Sequence, residues 1–197
     1  MSADRLDAQL AFLHEADKLK SILRHSRVTF ADRRENDAEH SWHLALAVMI
    51  LVEHAEPGLD VLRTMQMVLI HDLVEIDAGD TIAYADSAAK AAQAERERAA
   101  ADRLFGMLPP EQARALRELF DEFEARQTRE ARFARALDRV QPILQNVHSG
   151  GATWRENGIT PERVREVNRA VIHGASPALW DRMEAVIADA EARGCFG

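Results

Sequence analysis

Apolar residues recur along this chain at intervals of three and four, and strand-type alternation is scarce, so the pattern predicts helices almost throughout. A first helix is predicted from Asp4 to about His25, with Leu6, Leu10, Leu13, Leu19 and Leu23 supplying much of its apolar face. Residues 26–35 read as a connection. Asn36 and Glu39 then have the spacing of a capping box, which opens a second helix running to about Ala55 and stopping before Pro57-Gly58. A third helix is predicted from about Leu59 to Ile76. Met65, Met67, Val68, Leu69 and Ile70 lead into His71-Asp72, and so much apolar surface around a charged pair marks a central helix. The segment from Asp77 through Gly79 to Asp80 breaks the pattern, and a polar stretch follows to about Ser87.

From Ser87 to Met107 the chain is rich in alanine and charge, as in an exposed amphipathic helix. Pro109-Pro110 opens the next helix, to about Arg126, since proline is tolerated in a first turn. Thr128 is placed to cap a helix through Val147. Thr160-Pro161 and Ser176-Pro177 mark the starts of two closing helices, with Gly150, Gly151 and Gly158 punctuating the loop before them. No repeat or interdomain linker interrupts the chain. The expectation is an all-α fold forming one domain over residues 1–197, its core at about 10–180.

Composition narrows the function classes. A net charge of −8 argues against nucleic-acid polymers, which are met by basic surfaces. It leaves room for a small anionic substrate, because a few arginines and a metal can reverse the field inside one cleft. No run approaches the roughly 18 apolar residues of a membrane span, so no membrane partner is expected. Cys195 is the only cysteine, which leaves no intrachain disulfide and fits a cytoplasmic enzyme. Any metal must be held by imidazole and carboxylate, a donor set compatible with Mn, Co, Zn or Fe.

The candidate chemistry starts at His71-Asp72. Adjacent helical residues point about 100° apart and can flank one ion, while Glu75 returns to the same side one turn later. Alone, the dipeptide fits equally a helix-end histidine paired with a neighbouring charge. His40 and His43 lie one turn apart among apolar residues, and either one singly reads as a hydrogen-bonded core histidine. Asp138 sits in the apolar stretch Ala136-Leu137-Asp138-Arg139-Val140, where a salt bridge to Arg135 or Arg139 is the plain alternative. Three apolar helices each carrying such a group make a shared ion plausible, since buried charges need a partner or a metal.

These residues resemble the HD-domain superfamily, whose pattern is a histidine, a distant His-Asp pair and a later aspartate. Within the segment Arg34-Glu35-Asn36-Asp37-Ala38-Glu39-His40-Ser41, the residues from Glu35 on are similar to the E-N-x-x-E-H-S of 5′-deoxynucleotidase-like HD hydrolases. Leu19-Lys20 and Arg24 resemble the upstream L-K-x-x-x-R, and His71-Asp72, Glu75, Gly79-Asp80 and Ala136-Leu137-Asp138 extend the likeness. The resemblance implies a single divalent transition metal held by His40, His71, Asp72 and Asp138, with His43 outside the ligand set. It further implies Glu75 and Asp80 as catalytic carboxylates, Arg24 and Arg34 at the substrate phosphate, and a homodimer. The tryptophan that follows the upstream arginine in characterised deoxynucleotidases, and helps favour deoxyribose, is His25 here. The Leu137-Asp138-Arg139, Gly150-Gly151 and Trp154 neighbourhood is closer to other HD relatives. The implied activity is release of phosphate from nucleoside or deoxynucleoside 5′-monophosphates. The alternatives are an HD hydrolase of another phosphate ester and a non-catalytic nucleotide-binding regulatory protein. A dinuclear HD enzyme needs further histidines, and none occurs between His71 and His148.

Overall fold

A computed structural model describes residues 3–84 and 86–196. The described chain is helical apart from one small hairpin. In order it forms α1 (Ala3–Ala16), β1 (Leu23–Arg27), β2 (Arg34–Asn36), α2 (Asp37–Leu51), α3 (Val61–Ile70) and α4 (Glu75–Ala78). There follow α5 (Ser87–Phe105), α6 (Pro110–Ala125), α7 (Arg129–His148), α8 (Ala152–Glu156), α9 (Pro161–Ala175) and α10 (Pro177–Ala192). No helix among the described residues is long and apolar enough to cross a membrane.

The helix starts follow local chemistry. Asn36 caps α2 by accepting from the backbone N–H of Glu39, and the Glu39 carboxylate accepts from the Asn36 N–H, completing the capping box. Thr128, Thr160 and Ser176 cap α7, α9 and α10 through their hydroxyls, the last two followed by proline at the first helical position.

α7 is the axis of the fold. Phe133, Leu137, Val140, Ile143 and Val147 are buried along it, packing against Leu44 and Val48 of α2, Met67 and Val68 of α3, and Ile172 and Ile187 of the closing helices. Truncating one such side chain costs about 2–5 kcal/mol, so this cluster carries much of the stability. A second cluster joins Phe12, Leu19, Leu73, Val74, Leu104, Phe105 and Phe120. The 3-10 turn His71–Val74 connects the two, following α3 directly.

Three expectations are corrected. The first helix does not reach His25: it ends at Ala16, a 3-10 turn covers Asp17–Ser21, and Leu23–Arg27 is extended and paired with Arg34–Asn36. Its leucine stripe is also largely outside, because α1 buries Phe12 and leaves Leu6, Leu10 and Leu13 at 56%, 54% and 62% exposure. The third helix is α only to Ile70, and the turn that carries His71 and Asp72 tightens to 3-10 before α4.

The hairpin matters for the site. Leu23 pairs with Asn36 and Arg27 with Arg34, so five residues of β1 oppose three of β2. The irregularity falls on Arg24, His25 and Ser26, and such a bulge re-aims the side chains it carries. The Thr153 hydroxyl of α8 donates to the His25 carbonyl at 2.9 Å and anchors this segment. α8 in turn begins at Gly151, in a left-handed conformation (φ 79°) where any Cβ would run into the Cys195 backbone.

Candidate metal centre

The imidazoles of His40 and His71 approach from α2 and from the end of α3, with ring centroids 5.6 Å apart. Each has its Nδ1 occupied. His40 Nδ1 lies 3.1 Å from Gln141 Oε1, and His71 Nδ1 lies 3.0 Å from the Val68 carbonyl oxygen. Both acceptors hold a proton on Nδ1, so in the neutral rings Nε2 is the nitrogen left to a metal ion. The two Nε2 atoms and the Asp72 carboxylate converge, with one ligand atom of each residue within 4.8 Å of the others. Asp138 Oδ1 joins them, 3.1 Å from His40 Nε2 and 3.8 Å from His71 Nε2. His71 Nε2 is buried 3.0 Å from Asp72 Oδ1 yet makes no hydrogen bond of acceptable geometry. A buried donor set of two nitrogens and two carboxylates, with one nitrogen unpartnered, fits a divalent cation.

The electrostatics have the same origin. Burial opposes a charge on His71, but the Asp72 and Asp138 carboxylates outweigh it and push the imidazole up to about 10. Burial works against ionised Asp72 as well, and His71 and Arg24 overcome it, holding the carboxyl below the usual range. Burial and the nearby Asp72, Asp37 and Asp80 carboxylates push Glu75 up to about 12, and burial with Asp72 pushes Asp37 up to about 7. The Asp72 part of that push is what a bound cation cancels.

Arg24, His25, Glu75 and Asp80 line a cleft of about 350 Å³ together with His71, Asp72 and Asp138. Glu75 opens α4 one turn beyond the His-Asp pair, and its Oε2 is buried without a partner. Asp80 follows Gly79 and accepts from the His25 backbone N–H at 3.1 Å. Arg24 is turned toward the carboxylates: its Nη1 is 2.7 Å from Asp72 Oδ2 and 3.4 Å from Asp37 Oδ1. Arg34 does not join them. Glu35 is the inward residue of β2, so alternation turns its neighbour Arg34 to solvent, outside the cleft. His43 is exposed at the end of the network, with Nδ1 3.3 Å from Gln141 Nε2.

Sequence reasoning missed three residues here. Asp37 is fully buried against Asp72 and Glu75. Glu35 accepts from Gln141 at 2.8 Å and from Gln145 at 2.6 Å, and so sets the amide that orients His40. Gln141 lies three residues beyond Asp138 on α7, a helical spacing that offered the one available signal.

An HD domain family model matches residues 16–180 of the chain. The 5′-deoxynucleotidase HDDC2 of Homo sapiens is 31% identical over 137 residues, and that of Bos taurus 34% over 137 residues. Each alignment covers 69% of this chain and 65% of the relative, so the chain spans just under two thirds of those proteins' length. The crystal structure of a predicted metal-dependent phosphohydrolase from Magnetospirillum magnetotacticum superposes with a TM-score of 0.93 at 46% identity, covering 98% of this chain and 96% of the other. A conserved hypothetical protein from Pyrococcus furiosus shares the fold at 21% identity and a TM-score of 0.59 over 93% and 99% of the two chains. With a helical architecture, a buried His/His/Asp cluster and a family match over most of its length, the chain belongs to the HD domain family.

Proposed function

We propose that this chain is a metal-dependent phosphohydrolase that releases phosphate from nucleoside or deoxynucleoside 5′-monophosphates. The observation that carries the reading is the convergence of two Nε2 atoms, each on a ring held through Nδ1, on Asp72 and Asp138 at the wall of an open cleft. His40, His71, Asp72 and Asp138 would hold the ion, with Mn, Co, Zn and Fe all suited to the donors. A bound divalent cation supplies Lewis acidity toward a phosphate oxygen and makes water a better nucleophile at neutral pH.

The protein groups divide the rest. Water attacks phosphorus as the bond to the 5′ oxygen breaks, and that oxygen takes up a proton. The unpartnered Glu75 Oε2 positions the attacking water. Asp80, held by the His25 N–H, faces the leaving oxygen from the loop after Gly79. Arg24 holds Asp72 in place and balances the buried carboxylates. His25 occupies the position where a tryptophan favours deoxyribose in related enzymes, so ribose discrimination is expected to be weak.

A homodimer completes the proposal. Trp42, Leu46, Met49 and Ile50 form one apolar stripe on the outer face of α2, with Trp42 64% and Ile50 63% exposed. Leu62 and Leu69 on the neighbouring α3 are exposed too, and a twofold packing of these helices would cover both stripes. We assign the protein to the cytoplasm on the strength of its single cysteine, Cys195.

The test is phosphate release from a panel of ribo- and deoxyribonucleoside 5′-monophosphates by metal-stripped protein resupplied with Mn, Co, Zn or Mg. Asp72→Ala is the control. Metal-dependent release that disappears in the control is the expected result. Folded, metal-loaded protein that releases nothing from any member of the panel would sink the reading.

A further inference from the structure

One wall of the cleft is left unused by the proposed reaction. Beside the ligand Asp138, it is lined by Lys90 of α5, Arg126 at the end of α6, and Arg135 and Arg139 of α7. In a chain of net charge −8, four cations on one wall need an explanation. Arg135 and Arg139 lie one helical turn apart and flank Asp138, at 3.2 Å and 4.0 Å from its Oδ2. The Arg135 Nε is buried without a hydrogen-bond partner.

The acids that face this wall do not neutralise it. Glu124 is 3.7 Å from Arg126, and Glu97 bonds to Gln93 at 2.9 Å. Asp138 belongs to the ligand cluster and bonds to His40. With Asp138 counted, four cations still face only three carboxylates.

Arg126 carries the strongest sign of a specific role. It is the one non-glycine with a positive φ (56°) among the described residues, at the left-handed position that ends α6. Glycine is the usual residue there, because a side chain in that conformation costs about 1 kcal/mol. A strained arginine on a charged cleft wall is the pattern of a residue kept for what its side chain binds.

We propose that Lys90, Arg126 and Arg139, with Arg135 between them and the ligand cluster, form a second anion subsite, so that the preferred substrates are phosphate esters carrying two phosphate groups. This rests on the phosphohydrolase reading for the first phosphate. That group lies at the ligand cluster, where Arg135 is the nearest of the four cations. Lys90, Arg126 and Arg139 then meet the second phosphate, with Lys90 and Arg126 on helices that supply no metal ligand.

The experiment uses manganese-loaded protein, with metal content checked before and after. Phosphate release is compared for 2′-deoxyadenosine 5′-monophosphate and 2′-deoxyadenosine 3′,5′-bisphosphate, in wild type and in Arg126→Gly and Lys90→Met. Calorimetric titration with inorganic phosphate and with pyrophosphate gives binding without turnover. Arg126→Gly suits the left-handed backbone, so folding survives and a melting curve verifies it. Wild type is expected to favour the bisphosphate in kcat/KM, and to bind pyrophosphate over phosphate, by about tenfold or more, as for one or two charge-assisted contacts. Both ratios should fall toward one in each variant. Equal handling of the two esters and the two anions, or preferences that survive both substitutions, overturns the subsite. Arg126-dependent pyrophosphate binding without release from any ester would uphold the subsite and sink the monophosphate reading instead.

Discussion

Arg24 Nη1 sits 2.7 Å from Asp72 Oδ2, so an arginine placed by a strand bulge is the direct partner of a candidate metal ligand 48 residues further along. The same guanidinium lies 3.7 Å from Glu35 and 3.9 Å from Asp138. It is the positive centre of a buried nest of acids. Removing it leaves those charges uncompensated, a loss of about 3–5 kcal/mol for a buried ion pair. Arg24→Met is therefore expected to melt well below wild type when metal-free. Loading with a divalent ion should recover a large part of the difference, because the ion restores positive charge at Asp72. Thermal unfolding with and without chelator measures this, and an equal deficit in both states would refute it.

Gln141 fixes the orientation of His40 and is itself held by Glu35. Partners that hold a ligating histidine are worth about 10–100-fold in metal affinity. Gln141→Ala is expected to weaken metal binding by that factor while the fold persists, as measured by competition against a chelating dye. Unchanged affinity would mean that core packing alone holds the ring.

Glu75 lies in the cleft but outside the four proposed ligands. Glu75→Gln should abolish phosphate release while metal content stays near one ion per chain, as read by elemental analysis. Loss of the metal in this variant would make Glu75 a ligand and overturn its assigned role.

Glu97 gives a pH signature. Burial first, then Glu124 and Asp72, raise its carboxyl above the ordinary 4.5, against the Gln93 hydrogen bond and Arg135. A folded-state value above the unfolded one means a contribution fully present below pH 4.5 and lost as pH rises through the raised value. Glu97→Gln removes that loss. Relative to wild type, the variant should gain stability between pH 4 and pH 8, measured by denaturant unfolding at both. A constant difference at the two pH values would show that burial of this carboxylate carries no such cost.

The outer stripe of α2 makes the dimer testable. Ile50→Glu places a charge in the middle of the proposed contact without touching the core, since Ile50 is exposed in the single chain. Light scattering should report a dimer for wild type and a monomer for the variant. A wild-type monomer at tens of micromolar would remove the homodimer from the proposal.

Much of the fold was legible because its signals are local. Asn36 and Glu39 are three residues apart, and Thr160-Pro161 and Ser176-Pro177 act on the helix that follows each of them, so their chemistry works whatever surrounds it. The first segment misled because Leu6, Leu10 and Leu13 keep helical spacing while facing solvent, and periodicity cannot tell a core from an outer surface. β1 was illegible for a related reason. Leu23–Arg27 carries little β-branched character, and its strand form comes from pairing with residues 34–36.

The amino-acid sequence by itself determined which groups were available to a metal: His40, His71, Asp72 and Asp138 in otherwise apolar stretches, with Glu75 one turn beyond the His-Asp pair and Asp80 shortly after it. It also determined that those helices start where they do, because caps and prolines act within one turn. Only the tertiary structure decided the use of those groups. It brought α2, α3 and α7 together so that two Nε2 atoms meet, turned Arg24 onto Asp72, left Arg34 in solvent, and gathered Lys90, Arg126, Arg135 and Arg139 along one wall. The physical reason is range. Propensity and capping act over a few residues, whereas charge and desolvation act through space, and the distances they depend on exist once the helices have packed.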